Sequence, residues 1–313
     1  MDQIANTILS SGRSAVELAF FILLPVMIVM LSIMHWLESR GILNRIVAAF
    51  SPAMALFGLS GLGIFALMQV SMVSFAAPIA TLAVMARNGS SPRHIAATLA
   101  MVLSLAQANV VFPMAAAGLN VGATIGIAIA GGLLASAAVW YLFGRSLSAT
   151  QTTNESELLP DNADKESAMA VIRRAGKDAW EISLSALPLL VVALVAVNLL
   201  RLTGLIGTLE DWLAPAVNAL GYPQQTFLLA ITKYIAGGTA MMGIAMEQFQ
   251  AGVLSPADVN LLAGLLICPL DVAGVAILVA AGKNVAAVAR PAIYGALIGI
   301  VFRILCHYFL YAS

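Results

Sequence analysis

Ile95 to Gly144 forms fifty consecutive residues without one Asp, Glu, Lys or Arg. A helix needs about 20 apolar residues, rising roughly 1.5 Å each, to cross about 30 Å of hydrocarbon, so this stretch predicts two crossings. The reversal between them falls at Gly118-Leu119-Asn120-Val121-Gly122, because Gly and Asn accept the backbone angles of a tight turn. Ile46 to Ala86 is a second uncharged stretch, and Ile182 to Leu200 and Trp212 to Thr232 are shorter ones. Val16 to Trp36 is too long and unbroken for a signal peptide, and no small-residue cleavage site follows it, which predicts a retained membrane helix. Only Arg145 to Asp178 looks soluble. Within it, Ser148 to Glu166 is rich in Ser, Thr, Asn, Asp and Glu, a composition that cannot offset the entropy of ordering. That predicts a linker, with a short basic helix (Ala168 to Lys177) leading back into the membrane.

Composition agrees. Of 313 residues, 61% are hydrophobic and 10% charged, against about 25% charged in a soluble domain. The 15 basic and 15 acidic residues cancel, which argues against a nucleic-acid partner, since phosphate binding needs a net basic face. Cys268 and Cys306 both lie in apolar runs and make no disulfide framework. No spacing suggests a structural metal site, and no G-x-S-x-G, phosphate-cradling loop or H-E-x-x-H is present. His35, His94 and His307 are scattered. The expectation is a membrane protein that is not an enzyme, with no catalytic residues and the lipid bilayer as its main partner.

The two halves of the chain resemble each other. Pro25 matches Pro188, Gly41 matches Gly204, Pro52 matches Pro215 and Gly58 matches Gly221, all at a spacing of 163. Ser91-Pro92 matches Ser255-Pro256 at 164, and Pro113, Gly118 and Gly126 match Pro269, Gly274 and Gly282 at 156. Gly and Pro fix backbone geometry, so matched punctuation predicts matched architecture. Each half then reads as a spanning helix (16–36, 181–201), an amphipathic segment (42–57, 205–220) and an apolar stretch with a polar centre (60–86, 223–247). A proline-containing helix (92–117, 256–281) and a last crossing (123–144, 287–310) complete each half.

Equivalent loops differ in charge. Arg87 and Arg93 stand where the second half has Glu247 and Asp258, and the uncharged loop near Asn120 faces a counterpart with Lys283 and Arg290. Counting cations on the cytoplasmic side puts loops 40–45, 87–94, 145–177 and 283–290 inside, and those near 120, 201–223 and 247–258 outside. The halves are therefore expected to be inverted: a first repeat over 1–144, a polar cytoplasmic linker over 145–178 and a second, inverted repeat over 179–313. The alternative is two parallel four-crossing bundles. Inversion makes 60–86 and 223–247 enter and leave on one side, as re-entrant hairpins, which are tolerated only where protein or water surrounds them.

This order of elements resembles the transport core of concentrative nucleoside transporters. It is also similar to the nucleoside-recognition, or gate, domains of spore maturation proteins A and B and of the ferrous iron transporter B. The resemblance runs from about Ser14 to Tyr311 and rests on architecture and on Gly41/Gly204, Pro52/Pro215, Gly58/Gly221 and Pro113/Pro269. It implies an all-α polytopic fold of two inverted repeats in a bacterial inner membrane, a nucleoside or related metabolite as solute, and a homo-oligomer. Two departures stand out: the first hairpin of the nucleoside transporters carries an acidic residue near its tip, whereas Leu59 to Ala86 has none, and no GTPase domain is present.

An inverted repeat of this kind binds its solute near the midplane, where broken helices leave free N–H and C=O groups. The candidates are Gln69, Ser71 and Ser74 at the first tip, Gln107 and Asn109 in the first broken helix, Lys233 and Thr239 at the second tip, and Asp271 after Pro269. Gln69 and Lys233 share a position at a spacing of 164. Gln69, Ser71 and Ser74 equally suit helix-to-helix hydrogen bonding. An ion in the bilayer core costs roughly 2.5–3.5 kcal/mol on insertion scales, so Lys233 and Asp271 either pair with each other or bind solute or a proton. Arg303, Cys306 and His307 share a helix face, where Arg303 is expected to snorkel to the outer interface. With no ATP site, uphill movement needs an ion gradient: Na⁺ on backbone carbonyls with Asn109, Ser71 or Ser74, or H⁺ on Asp271. The expected activity is secondary transport of a small polar solute without other cofactors. The alternatives are a non-transporting sensing or maturation module and a metal permease using Cys268.

Overall fold

Serine followed by proline starts a helix twice in this chain, for the same reason each time. The serine hydroxyl accepts from an early N–H that has no helical partner, and proline at the first helical position lacks the N–H that would otherwise be stranded. The computed structural model describes residues 2–150, 167–204, 208, 212, 215, 217, 219 and 221–312. In it Ser91 accepts from His94 N at 3.2 Å. Ser255 accepts from Asp258 N at 3.2 Å, and Asp258 reaches back to complete a capping box. The centre of the expected linker and most of the amphipathic segment at 205–220 lie outside the described residues.

The described residues are helical throughout, with no strand among them. α1 (Asp2–Glu17) continues through a π-helical turn (Leu18–Leu23) into α2 (Leu24–Ser39). Gly41, at φ 64°, turns the chain into α3 (Ile42–Ala55). α4 (Gly61–Met72) and α5 (Pro78–Arg87) pack together as a hairpin. α6 (Pro92–Ser104) and α7 (Ala108–Met114) form the first broken helix, and α8 (Val121–Ala138) ends in a second π-helical turn (Val139–Phe143). The second half supplies α9 (Ala168–Leu202), a hairpin of α10 (Thr226–Ala236) and α11 (Gly238–Gln250), and the broken helix α12 (Pro256–Leu266) and α13 (Val272–Val279). The short α14 (Lys283–Ala287) leads into α15 (Ala289–Tyr311).

Among the described residues, five helical stretches are long and apolar enough to span a bilayer: Gln3–Ser39, Pro92–Ala117, Val121–Phe143, Ala168–Leu200 and Ala289–Tyr311. Large apolar side chains on the outer surface, such as Phe21, Val192 and Phe309, are mostly exposed, as lipid-facing positions are. The chain is a multi-pass membrane protein. The hairpin helices have 10 to 13 residues, about 15–20 Å of rise, and are too short to cross alone. The broken helix Pro92–Ala117 is the opposite of lipid-facing, with 94% of its apolar window buried.

The first break is not where the proline suggests. Pro113 lies inside α7, and the interruption falls at Leu105-Ala106-Gln107. Pro269, by contrast, sits within the second interruption, between Leu266 and Val272. The spacing of 156 between these prolines therefore does not match equivalent places. A spacing of 164 does: Gln107 is the N-cap of α7 and Asp271 the N-cap of α13. Small apolar runs allow such slips, because their sequence carries little information about register.

α8 and α15 cross through glycine. A Cβ on Gly299 would overlap the carbonyl of Gly131, and one on Gly295 would meet Ala135 O at 2.7 Å and overlap Val139. Residue numbers fall along α15 as they rise along α8, so the two helices run antiparallel. A spacing of 164 carries Gly131 to Gly295 and Ala135 to Gly299, so it exchanges the two contacts. Without a hydrophobic drive between helices in lipid, such close backbone approach is the main source of association. Gly299→Ala is therefore expected to force the helices apart at a cost of about 1–3 kcal/mol, read as a lower melting temperature in detergent. Gly126→Ala on α8, whose Cβ meets nothing within 4 Å, should leave that temperature unchanged or raise it.

Other contacts tie loops to shared ends. Asn284 donates to Ala86 O at 2.9 Å and Arg93 N to Ser148 O at 3.2 Å, joining three of the cation-bearing loops. Asn260 donates to Gly118 O at 2.9 Å and accepts from Asn120 N at 2.7 Å, joining the loop near 120 to the start of α12. His35, between Glu38 and Asp178, and Arg174, on Glu38, bind α2 to α9 at distances of 2.8–3.3 Å.

Candidate functional site

Two hairpin tips and two helix breaks meet around one cavity of about 270 Å³. Its polar wall holds Ser74 from the first tip, Asn109 from α7, Gly237, Gly238 and Thr239 from the second tip, and Asp271 from the second break. Leu23, Ile182, Ala186 and Ile277 give it an apolar side. The volume equals roughly nine waters at about 30 Å³ each, enough for a small metabolite. The second tip is sharp because Gly237, at φ 91°, takes a conformation that side chains rarely adopt.

Four of the eight expected residues line this cavity: Ser74, Asn109, Thr239 and Asp271. Asn109 Nδ2 donates to Thr239 Oγ1 at 3.2 Å, tying the first break to the second tip. Its Oδ1 is buried without a hydrogen-bond partner, an acceptor at the cavity wall that a polar solute can use. Asp271 Oδ1 accepts from Gly274 N at 2.7 Å and so caps α13. The remaining four sit behind the wall. Gln107 is buried with its Nε2 unpartnered, and it packs so closely on Gly238 that a Cβ there would overlap the amide. Lys233 is fully buried, 3.7 Å from Asp271 Oδ2. It donates to Leu270 O, and its Nζ lies 4.2 Å from the centre of the Tyr234 ring. Gln69 accepts from Thr81 Oγ1 at 2.8 Å across the first hairpin, a helix-to-helix bond of the kind weighed above. Ser71 is half-buried on α4 and does not line the cavity.

Arg303 differs most from expectation. It is fully buried and does not snorkel to an interface. Its Nη1 donates to Ser104 O, and its Nη2 to Ala263 O at 3.2 Å and Ile267 O at 2.6 Å. One side chain thus bonds the C-terminal ends of α6 and α12. Arg303 lies in the middle of α15, too far from either end for its stem to reach water, and that position was the available signal. On the same face, His307 Nδ1 bonds Asn260 O at 2.7 Å. Cys268 Sγ lies 3.9 Å from Leu265 O, and no group of three His, Cys, Asp or Glu side chains suited to a metal ion occurs among the described residues.

No family model matches the chain. A 72-residue stretch is 38% identical to spore maturation protein B of Bacillus subtilis (strain 168), covering 23% of this chain and 40% of that protein. Solved structures match over far more of the chain. CNTnw, a concentrative nucleoside transporter, in an inward-facing substrate-bound state superimposes with a TM-score of 0.68 at 16% identity, over 100% of this chain and 85% of that one. A CNTnw variant in an outward-facing state gives 0.67 at 15% identity over 99% and 84%, and one in an intermediate state gives 0.69 at 15% over 92% and 75%. With its hairpins, broken helices and five spanning stretches, this chain has the fold of the concentrative nucleoside transporters.

Proposed function

We propose that this protein is a secondary transporter that carries a small polar solute across a bacterial inner membrane. The observation that carries the reading is the cavity bounded by both hairpin tips and both helix breaks, with the unpartnered Asn109 Oδ1 in its wall. Half-helix ends at the midplane are the usual way to bind a polar solute in lipid. CNTnw, which shares the fold, has been captured inward-facing with substrate, outward-facing and in intermediates, so this architecture supports alternating access. The antiparallel crossing of α8 and α15, exchanged by the repeat spacing, supports inverted halves. The cation-bearing loops at 87–94 and 283–290, tied through Asn284 and Ala86, then face the cytoplasm.

Nucleosides and related metabolites are the first solutes to test. Ser74, Asn109, Thr239 and Asp271 contact the solute, with Gln107 and Lys233 supporting them from behind. Asp271 is the one buried carboxylate among the described residues and the candidate carrier of a coupling proton. Counterflow in proteoliposomes, with a panel of nucleosides, amino acids and cations, is expected to show exchange of one solute class. A ligand that raises the melting temperature yet is never exchanged would instead favour a non-transporting sensor. The stretch shared with spore maturation protein B keeps that second reading in play.

A further inference from the structure

We infer that Arg303 is a resident cation serving both helix breaks, so that the site works without a metal cation on the break carbonyls. This deepens the transport reading, on which its consequence for coupling rests. In transporters built from discontinuous helices, unwound carbonyls and half-helix C-termini are what coordinate Na⁺. Here four carbonyls at or beside the breaks already carry side-chain cations. Arg303 bonds Ser104 O, Ala263 O and Ile267 O, and Lys233 bonds Leu270 O.

The charges also balance without a metal. A helix C-terminus carries roughly half a negative charge, so the ends of α6 and α12 together match one guanidinium. Lys233 is matched by Asp271, and no second buried carboxylate occurs among the described residues. An added Na⁺ would bring an uncompensated charge into the bilayer core.

The seat for Arg303 is built by small residues. A Cβ on Gly131 would lie 2.7 Å from Arg303 Cγ, and one on Gly264 would lie 2.6 Å from the Arg303 carbonyl oxygen. Of the side chains expected to hold Na⁺, Asn109 and Ser74 border the cavity but Ser71 does not. The carbonyls that Arg303 and Lys233 occupy are closed to a sodium ion. Na⁺ is therefore kept off these four carbonyls, and a proton on Asp271 is the coupling ion that this arrangement favours.

The test is the melting temperature of the purified full chain in NaCl and in choline chloride at equal ionic strength. A protein that binds Na⁺ is stabilised by it through mass action, whereas wild type is expected to melt at the same temperature in both salts. A higher value in NaCl overturns the inference. Arg303→Gln frees the carbonyls, so it is expected to melt lower in choline and to recover partly in NaCl. Folded Arg303→Gln protein indifferent to Na⁺ would show that these carbonyls are no cation site, and would also overturn it. Arg303→Lys keeps the charge but not the fork, so it is expected to melt lower than wild type and, like wild type, to show no Na⁺ response; should Arg303→Gln not fold, a Na⁺ response in wild type or in Arg303→Lys decides against the inference. No solute is needed, so failure of the transport reading registers separately, as absent counterflow in either salt.

Discussion

Lys233→Ala is expected to cost about 3–5 kcal/mol, because it leaves the Asp271 carboxylate buried with its cation gone. Both side chains are almost wholly buried, 3.7 Å apart, so neither can turn to water. Asp271→Asn should cost much less. The amide oxygen still accepts from Gly274 N, where Asp271 now does so at 2.7 Å, and Lys233 keeps Leu270 O and the Tyr234 ring. The double variant Lys233→Ala/Asp271→Asn is then expected to melt higher than Lys233→Ala alone, a coupling that a double-mutant cycle measures directly. Counterflow separates structure from function. Asp271→Asn protein should reach the membrane, fold and fail to exchange solute, since it lacks the titratable group. Wild-type exchange by Asp271→Asn would remove Asp271 from the mechanism, and equal melting of the single and double variants would mean that the pair contributes no coupling.

Gly274→Ala is the second large effect, and its cause is backbone against backbone. A Cβ at 274 would overlap the carbonyl oxygen of Pro269, with the Pro269 carbon at 3.0 Å and Asp271 Oδ1 at 3.2 Å. The two nearest atoms are backbone, and the third, Asp271 Oδ1, is held in place by Gly274 N. The second break would have to re-form, shifting Leu270 O and Asp271 together, at a cost of about 3 kcal/mol and with loss of exchange. Gly238→Ala makes a useful contrast. Its Cβ would overlap Gln107 Nε2, the far end of a side chain that can swing aside. A small drop in melting temperature with a large drop in exchange is expected, because the tip and the first break would no longer seat together. If Gly274→Ala melts like wild type, the interruption at 267–271 is softer than its contacts imply.

Much of the architecture was legible in the chain because its signals are local. The uncharged runs announce the bilayer, Ser-Pro announces the start of both broken helices, and the contrasting loop charges point to the two hairpins. Gly41 and Gly237 hold positive φ angles that restrict them to glycine, so their roles also follow from the residue type. The candidate site was half legible. Asn109, Thr239, Asp271 and Ser74 stood out as polar residues in apolar surroundings, and they line the cavity. Gln69 stood out for the same reason but bonds Thr81 within its own hairpin, and nothing in the sequence separates those two uses of an amide.

Sequence alone determined that this chain lives in lipid and that polar residues interrupt its apolar runs, since hydropathy depends only on neighbours along the chain. The tertiary structure decided where the first helix breaks, which tip meets which break, and that Arg303 turns inward to the carbonyls of two helices far from it in sequence. Those outcomes depend on long-range contacts: a buried guanidinium goes wherever unpaired carbonyls and room left by glycines coincide, and only the folded arrangement of α6, α8, α12 and α15 creates that place.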